Sequence, residues 1–172
     1  GTLSGTTTVS AVNGVATFAN LSIDKVGIGY TLVASRATLP NLTSSAFNIA
    51  PAAATQLSFG TQPTNTVAGV LIAAPTVRVL DAFGNLVTSN NSFITVMIGN
   101  NVGGGTLSGT LTAQAVGGVA TFNNLSINKT GTGYTLAAVS GSLTSAASSN
   151  FNITPAAAVG LAFVTQPTSS AA

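Results

Sequence analysis

The strongest constraint on this chain is an internal repeat with an offset of 104 residues. The stretch 117–139, GGVATFNNLSINKTGTGYTLAAV, is a near copy of the stretch 13–35, NGVATFANLSIDKVGIGYTLVAS. The offset continues without a gap, and 42 of the 68 overlapping positions are identical. Because a repeat of this kind is one structural unit written more than once, we expect both copies to fold in the same way.

The frame of the repeat is set by two Pro-Ala-Ala-Ala runs, which begin at Pro51 and Pro155. Each run follows a short alternating segment and is typical of a linker after a final strand. This frame predicts three parts: the C-terminal half of a repeat at 1–50, a complete repeat at 51–154, and the first strand of a following repeat at 155–172. Joining two copies head to tail would still leave a repeat without its equivalents of 69–104. We therefore expect the chain to be a window of a longer array.

The complete repeat alternates apolar and polar residues with the period of half-buried strands. We predict strands at 56–61, 76–80 and 92–98, a hairpin of 111–116 with 119–122, a G-x-G turn at 131–133, and final strands at 134–139 and 150–154. About seven short strands with turn signals every 8–12 residues and no helical period predict an all-β fold, a tandem of Greek-key β-sandwiches.

The scarcity of charge excludes several classes of function. The chain has no Glu, no His and no Cys, and its six charged side chains are Lys25, Arg36, Arg78, Lys129, Asp24 and Asp81. Without a common general base, a thiol or a carboxylate pair, we expect no enzyme and no cofactor. Two excess positive charges without a basic patch argue against nucleic acid as a partner. The longest apolar run, 67–74, is far shorter than the roughly 20 residues that span a bilayer.

Two of the charged side chains raise alternatives that we judge weaker. Asp81 could belong to a calcium site, but that ion normally takes six to eight oxygens and several charges. Asp81 begins the run Asp-Ala-Phe-Gly-Asn, so it is predicted to cap a turn. Lys129 follows Ser-Ile-Asn, which leaves an isopeptide crosslink open, although a solvated loop lysine is the simpler interpretation. Six Asn-x-Ser/Thr triplets leave glycosylation open as well.

Several motifs together resemble a known family. The runs ATQLSFGTQP at 54–63, VRVLDAFGN at 77–85, GGTLSG at 104–109 and the segment 119–136 are similar to tandem bacterial immunoglobulin-like repeats, of the invasin and intimin type, in large surface proteins. The resemblance implies immunoglobulin-like sandwiches in an extracellular or cell-surface location. It also implies a structural tyrosine corner at Tyr30 and Tyr134, whose hydroxyls would bond to the upstream backbone. The chain departs from the antibody pattern in having neither Cys nor Trp.

The resemblance and the composition favour a structural module that forms a stalk, shaft or filament. Its partners would be neighbouring repeats of the same chain, with lateral self-association into fibres, and its stability would depend little on pH because almost nothing titrates. The first alternative is an adhesin module that binds glycans or another cell surface. We expect nearly all Phe and Tyr to point inward, which argues against a sugar-binding platform. The second alternative is a decoration domain on a phage or virion.

Overall fold

The computed structural model describes residues 1–170, and all of its regular structure is β-strand. It contains no helix in this range, and therefore none that is long and apolar enough to cross a membrane. The strands are β1 (Leu3–Ser4), β2 (Ser22–Ile23), β3 (Gly27–Tyr30), β4 (Val33–Arg36), β5 (Leu39–Thr43), β6 (Phe47–Ile49), β7 (Ala54–Thr61), β8 (Thr66–Val67), β9 (Thr76–Asp81), β10 (Phe93–Ile98), β11 (Leu107–Ser108), β12 (Thr112–Gln114), β13 (Val119–Thr121), β14 (Ser126–Ile127), β15 (Gly131–Tyr134), β16 (Leu136–Val139), β17 (Ala146–Ala147) and β18 (Phe151–Thr154).

The strands form several small sheets, which we describe in two parts. In residues 1–50, the N-terminal segment, they pair only two by two, as β1–β2, β3–β6 and β4–β5. In residues 51–154, the core unit, they form the sheets β12-β10-β16-β17, β13-β9-β7, β15-β18-β8 and β11-β14. All of these pairings are antiparallel except that of β8 with β18. The all-β prediction is therefore confirmed.

A single hydrophobic core forms, and all of its buried members lie between Leu57 and Ile153. The alternation of side chains in β9 shows how strands contribute to this core: Val77 and Val79 are buried, whereas Arg78 between them is exposed. No residue of the N-terminal segment is buried. Residues 1–170 thus contain one closed β domain and not a tandem of sandwiches, because the N-terminal segment has no second layer over its apolar face.

The expected hairpin of 111–116 with 119–122 forms only at its tip. Val116 and Val119 make an isolated bridge across Gly117 and Gly118, which both have positive φ, 58° and 78°. Beyond this bridge β12 pairs with β10 and β13 pairs with β9, so the two strands enter different sheets. The prediction of a continuous hairpin was wrong, because β12 and β13 pair with the edges of β10 and β9 and not with each other.

The run 131–139 also differs from expectation. The G-x-G run is not a turn but part of β15, where the register shifts at Gly133 (φ 94°). The predicted strand 134–139 is divided at Thr135, because β15 pairs with β18 and β16 pairs with β10. A bulge of this kind bends a strand and redirects its side chains. Here the chain passes from one sheet to another while Tyr134 and Leu136 both remain buried.

The two copies of the repeat keep the same strand pairing despite their different burial. Leu3 pairs with Ile23 as Leu107 pairs with Ile127. Tyr30 is likewise in register with Phe47, as Tyr134 is with Phe151. Identical residues therefore produce identical local pairing, whether or not a core covers it.

Phe18 and Phe122 occupy equivalent positions and provide a test of where the core lies. Phe122 is 1% exposed and Phe18 is 41% exposed. We predict that Phe122→Ala lowers the free energy of unfolding by about 3–5 kcal/mol, because it leaves a cavity in a closed core. Phe18→Ala should cost less than about 1 kcal/mol. Urea unfolding of the full chain measures both, and equal losses would contradict a single core.

Candidate functional site: a joint between the N-terminal segment and the core unit

The most elaborate polar centre in the structure is the carboxylate of Asp81, which ends β9 and is fully buried. Its Oδ1 accepts hydrogen bonds from the backbone N–H groups of Phe83 and Asn85, both at 2.9 Å. Its Oδ2 accepts from the backbone N–H of Ala52 and from Nδ2 of Asn85, both at 3.0 Å. The buried carboxylate is therefore held by four N–H donors, which compensate for the water that it has lost.

These donors keep Asp81 ionised. Burial raises the pKa of Asp81, but the hydrogen bonds from Asn85, Ala52 and Phe83 outweigh it and lower the pKa from 3.8 to about 2. Asp81 is therefore negatively charged at neutral pH. The backbone bonds to Phe83 and Asn85 also fold residues 81–85 into a tight turn, in which Gly84 has a positive φ of 76°.

The turn 81–85 holds the loop 24–26 of the N-terminal segment. Nδ2 of Asn85 donates to the backbone oxygen of Asp24 at 2.9 Å, and Oδ1 of Asn85 accepts from the N–H of Val26 at 3.3 Å. Nζ of Lys25 donates to the backbone oxygen of Phe83 at 2.6 Å. We call these three contacts, together with the bond from Ala52 to Asp81, the joint.

Tyr30 connects the joint to the body of the N-terminal segment. Its hydroxyl donates to the backbone oxygen of Lys25 at 3.2 Å. Tyr134 makes the equivalent bond to the backbone oxygen of Lys129 at 3.0 Å, and its ring packs on Phe151 with the centroids 6.1 Å apart. Tyr134 is completely buried, whereas Tyr30 is half-buried, because only the second copy has a closed core around it.

A glycine is required where the backbone covers the Tyr134 hydroxyl. A Cβ atom at Gly103 would overlap the backbone oxygen of Thr130 and the hydroxyl of Tyr134. Here the reason for glycine is the close approach of two backbone segments and not an unusual dihedral angle.

The structure thus brings two of the three residues singled out from the sequence to one place. Tyr30 bonds to the loop that contacts the Asp81 turn, while Tyr134 lies in the equivalent corner of the core unit. Lys25 has an exposed side chain, as expected of a loop lysine, but its ammonium group is engaged by a backbone carbonyl. Sequence reasoning missed Asn85 as a contact residue. The available signal was the short linker, which forces the turn 81–85 close to the preceding repeat.

The charged groups near the joint are engaged by the polypeptide backbone. Both carboxylates, Asp24 and Asp81, accept hydrogen bonds from backbone N–H groups. No group of three His, Cys, Asp or Glu side chains that could hold a metal ion occurs within the described range. The joint consists of neutral amides, one lysine and one buried carboxylate, and what it can do is fix one β segment against another.

The prediction that nearly all aromatic side chains point inward was wrong. Phe83 is 56% exposed at the joint, and Phe93 is 64% exposed on β10. Phe93 precedes the inward-facing Ile94, so the alternation of the strand itself places it outward. Phe18 and Phe163 are also exposed, because nothing packs over them in the described chain.

Comparison with known proteins gives no assignment: no protein-family model and no curated protein matches this chain.

The pH dependence of stability should come largely from Asp81. A carboxylate with a lowered pKa in the folded state stabilises the fold above its unfolded pKa, near 3.8, and this contribution is lost as the pH falls through the folded value. We therefore predict a thermal midpoint that is flat from neutral pH to about pH 4 and falls between about pH 4 and 2.

Asp24→Asn is the matched control for this acid transition. The N–H of Thr2, at 2.6 Å, lowers the pKa of Asp24, and Asn128 accepts the equivalent bond from Thr106 at 2.8 Å, so an asparagine fits this position. Asp24→Asn should keep most of the acid transition, whereas Asp81→Asn should lower the midpoint at pH 7 and flatten the transition. Melting curves from pH 7 to pH 2 distinguish the two variants, and an unchanged transition in Asp81→Asn would contradict the assignment.

Removing the hydroxyl of Tyr134 should destabilise the core unit. Tyr134→Phe leaves the backbone carbonyl of Lys129 without this donor, and we predict a loss of about 1 kcal/mol in the free energy of unfolding. Tyr30→Phe should cost less, because water can reach that half-buried corner. Urea unfolding of the two variants tests the difference, and a midpoint for Tyr134→Phe identical to that of the unmodified chain would exclude a structural role for the bond.

Proposed function

We propose that this chain is a structural spacer: an extracellular repeat module that forms part of a stalk, shaft or filament on a microbial surface, without catalysis. The observation that carries the proposal is the joint, in which three hydrogen bonds connect the loop 24–26 to the turn 81–85. A spacer has to hold each unit at a fixed orientation relative to the next. Contacts between consecutive repeats provide this, and a free linker does not.

The linker between the two parts supports a fixed orientation. β6 ends at Ile49 and β7 begins at Ala54, so only four residues separate them. Pro51 restricts the backbone of this linker, and the N–H of the next residue, Ala52, donates to Asp81. Because the linker is short and is hydrogen-bonded at Ala52, the two parts have little freedom to rotate relative to each other.

The repeat supports recurrence of the same joint along a longer array. Lys129 and Tyr134 are retained at the positions of Lys25 and Tyr30, with the same hydroxyl bond in each copy. Asp24 is replaced by Asn128 in the second copy, but Asn85 bonds to the backbone oxygen of Asp24 and not to its carboxylate. The loop 128–130 therefore retains the groups that engage an Asp-Ala-Phe-Gly-Asn turn, and an array would repeat one step every 104 residues.

For the finer fold and family we propose immunoglobulin-like Greek-key sandwiches of the bacterial surface-repeat type. Support comes from the motifs in the sequence, from the antiparallel sheets around one core, and from the two tyrosine-to-backbone bonds near the start of a late strand. Near-neutral surfaces also allow copies to pack side by side without repulsion, which favours lateral association into fibres.

An adhesive role is the second candidate, and the exposed rings of Phe83 and Phe93 favour it. Exposed aromatic rings are common in ligand-binding surfaces. Within residues 1–170, however, neither ring pairs with another aromatic side chain. A glycan array probed with the full chain tests this role: binding that Phe93→Ala abolishes would favour it over the spacer, and an absence of binding would count against it.

The spacer proposal predicts a rigid joint that depends on Lys25 and Asn85. In the unmodified chain, small-angle X-ray scattering should fit a single orientation of the two parts. Asn85→Ala removes two of the three contacts between the loop 24–26 and the turn 81–85, so the scattering should then require a range of orientations. The amide of Val26 should exchange roughly 5-fold faster or more after the loss of its acceptor.

The repeat supplies a matched control for this experiment. Lys25→Ala should loosen the joint, whereas Lys129→Ala, the same change at the equivalent exposed position, should leave the scattering unchanged. If the unmodified chain already samples many orientations, or if both lysine variants behave alike, the rigid-spacer proposal fails.

A further inference from the structure

The N-terminal segment presents an open apolar cavity that matches the closed core of the second copy. The cavity has a volume of about 120 Å³, and its apolar walls are Leu3, Leu21, Ile23, Leu32, Phe47 and Ile49. The residues 104 positions later are Leu107, Leu125, Ile127, Leu136, Phe151 and Ile153, and every one of them belongs to the hydrophobic core or packs against it. The same wall is therefore covered in one copy and open in the other.

In the core unit, the cover over this wall comes from one continuous part of the chain. The N–H groups of Gly69 and Ile72 donate to the backbone oxygens of Ile127 and Leu125, both at 2.8 Å. β8 lies parallel to β18 and pairs Thr66 with Ile153. The segment 66–72 thus lies across the wall, and its Ile72 is buried.

Within residues 1–170, three strand edges that are paired in the core unit have no partner strand in the N-terminal segment. β16 pairs with both β10 and β17, whereas its counterpart β4 pairs only with β5. β18 pairs with both β15 and β8, whereas its counterpart β6 pairs only with β3. β13 pairs with β9, whereas residues 15–17 make only the bridge of Val15 to Val12 in the described chain. All three missing partners, β8, β9 and β10, come from residues 66–98.

The receiving surface is already formed without its cover. The N–H of Leu32 donates to Oγ of Ser44 at 2.9 Å, and the equivalent bond in the core unit, from Leu136 to Ser148, has the same length. The N–H of Gly29 donates to Asn48 at 3.0 Å, as that of Gly133 does to Asn152. Because the loops and the strand register are already in place, binding does not require the conformational entropy cost of ordering this surface.

From these observations we infer that the open face of the N-terminal segment is a docking site for a polypeptide half-repeat with the sequence pattern of residues 51–104. The occupant adds one strand to each of the three free edges, and it places its equivalents of Val77, Val79 and Ile94 over the cavity. This is β-strand addition at several edges at once, in which backbone bonds supply affinity and the apolar residues supply specificity. The chain's own residues 66–98 are not available, because they cover the core unit.

The C-terminal tail of a second copy is a poorer occupant. Residues 155–172 correspond to 51–68, so they repeat the first strand, 54–61, but contain no equivalents of β9 or β10. In the core unit, that first strand is also held by the N–H of Thr144, which donates to the oxygen of Thr55 at 2.9 Å. The equivalent position in the N-terminal segment is Pro40, which has no N–H to donate, so any occupant has to be held mainly by the strands that follow the first.

The test uses the full chain, isotopically labelled, and an unlabelled synthetic peptide of residues 51–104. We expect a one-to-one complex in which the amides of residues 15–17 and 33–36 exchange with solvent at least about 10-fold more slowly, as expected for amides that enter a paired strand edge. A peptide that carries Val77→Asp and Val79→Asp should not bind, because its two charges would face the apolar cavity.

Two chain variants give the matched control on the receiving side. Leu32→Asp alters the cavity wall and should abolish binding, whereas Leu161→Asp makes the same change at a fully exposed position and should leave binding intact. Unchanged exchange in the unmodified chain, equal binding by the charged peptide, or protection that appears around Tyr134 instead of residues 15–17 would overturn the inference. Because these amides lie outside the joint, this test and that of the spacer role can fail separately.

Discussion

The whole structure depends on whether an apolar sheet face has a second layer over it. The chain carries the same half-repeat twice, with the same strand pairs and the same tyrosine-to-backbone bond, yet only the copy at 105–154 has a core. Residues 57–98 make the difference, because they supply the facing residues Leu57, Val79 and Ile94. Hydrogen-bonded pairing is thus a local property of the sequence, whereas the hydrophobic stabilisation that makes a domain requires the complementary half.

The joint fixes the orientation of the two parts although the chain has few charged side chains. Few side chains in this protein can form ion pairs, so orientation between its parts has to come from backbone groups and amides. One buried carboxylate, Asp81, gathers the N–H groups of the turn and of the linker at a single point. Asn85 then uses both ends of its amide on the neighbouring loop. The energetic cost of burying one charge is compensated by four donors, and the same donors make the turn rigid.

Much of the strand pattern and the turn at Asp81 could be predicted from the sequence, and there are physical reasons why the other features could not. The strands around Val77 and Ile94 follow from period-two alternation, and the turn at Asp81 follows from Asp, Gly and Asn in a short run. The hairpin prediction failed because a glycine turn shows where a chain reverses and not which strand each arm then joins. The expectation of inward aromatic side chains failed at Phe18, since an inward position requires a cover that its own half-repeat does not contain. The contacts of Asn85 depend on the path of the preceding repeat, which the run 81–85 does not itself encode and at which only the short linker hints.

The joint recognises mainly the backbone of the incoming loop: the oxygen of Asp24 and the N–H of Val26. Main-chain atoms are the same in every copy, so these two bonds do not require a particular side chain at the position that is Asp24 in one copy and Asn128 in the other. Units with such connections are interchangeable in order. In an array of the proposed kind, whole units could therefore be gained or lost by recombination while the remaining joints are kept, so the length of the array can change without a change in how its units connect.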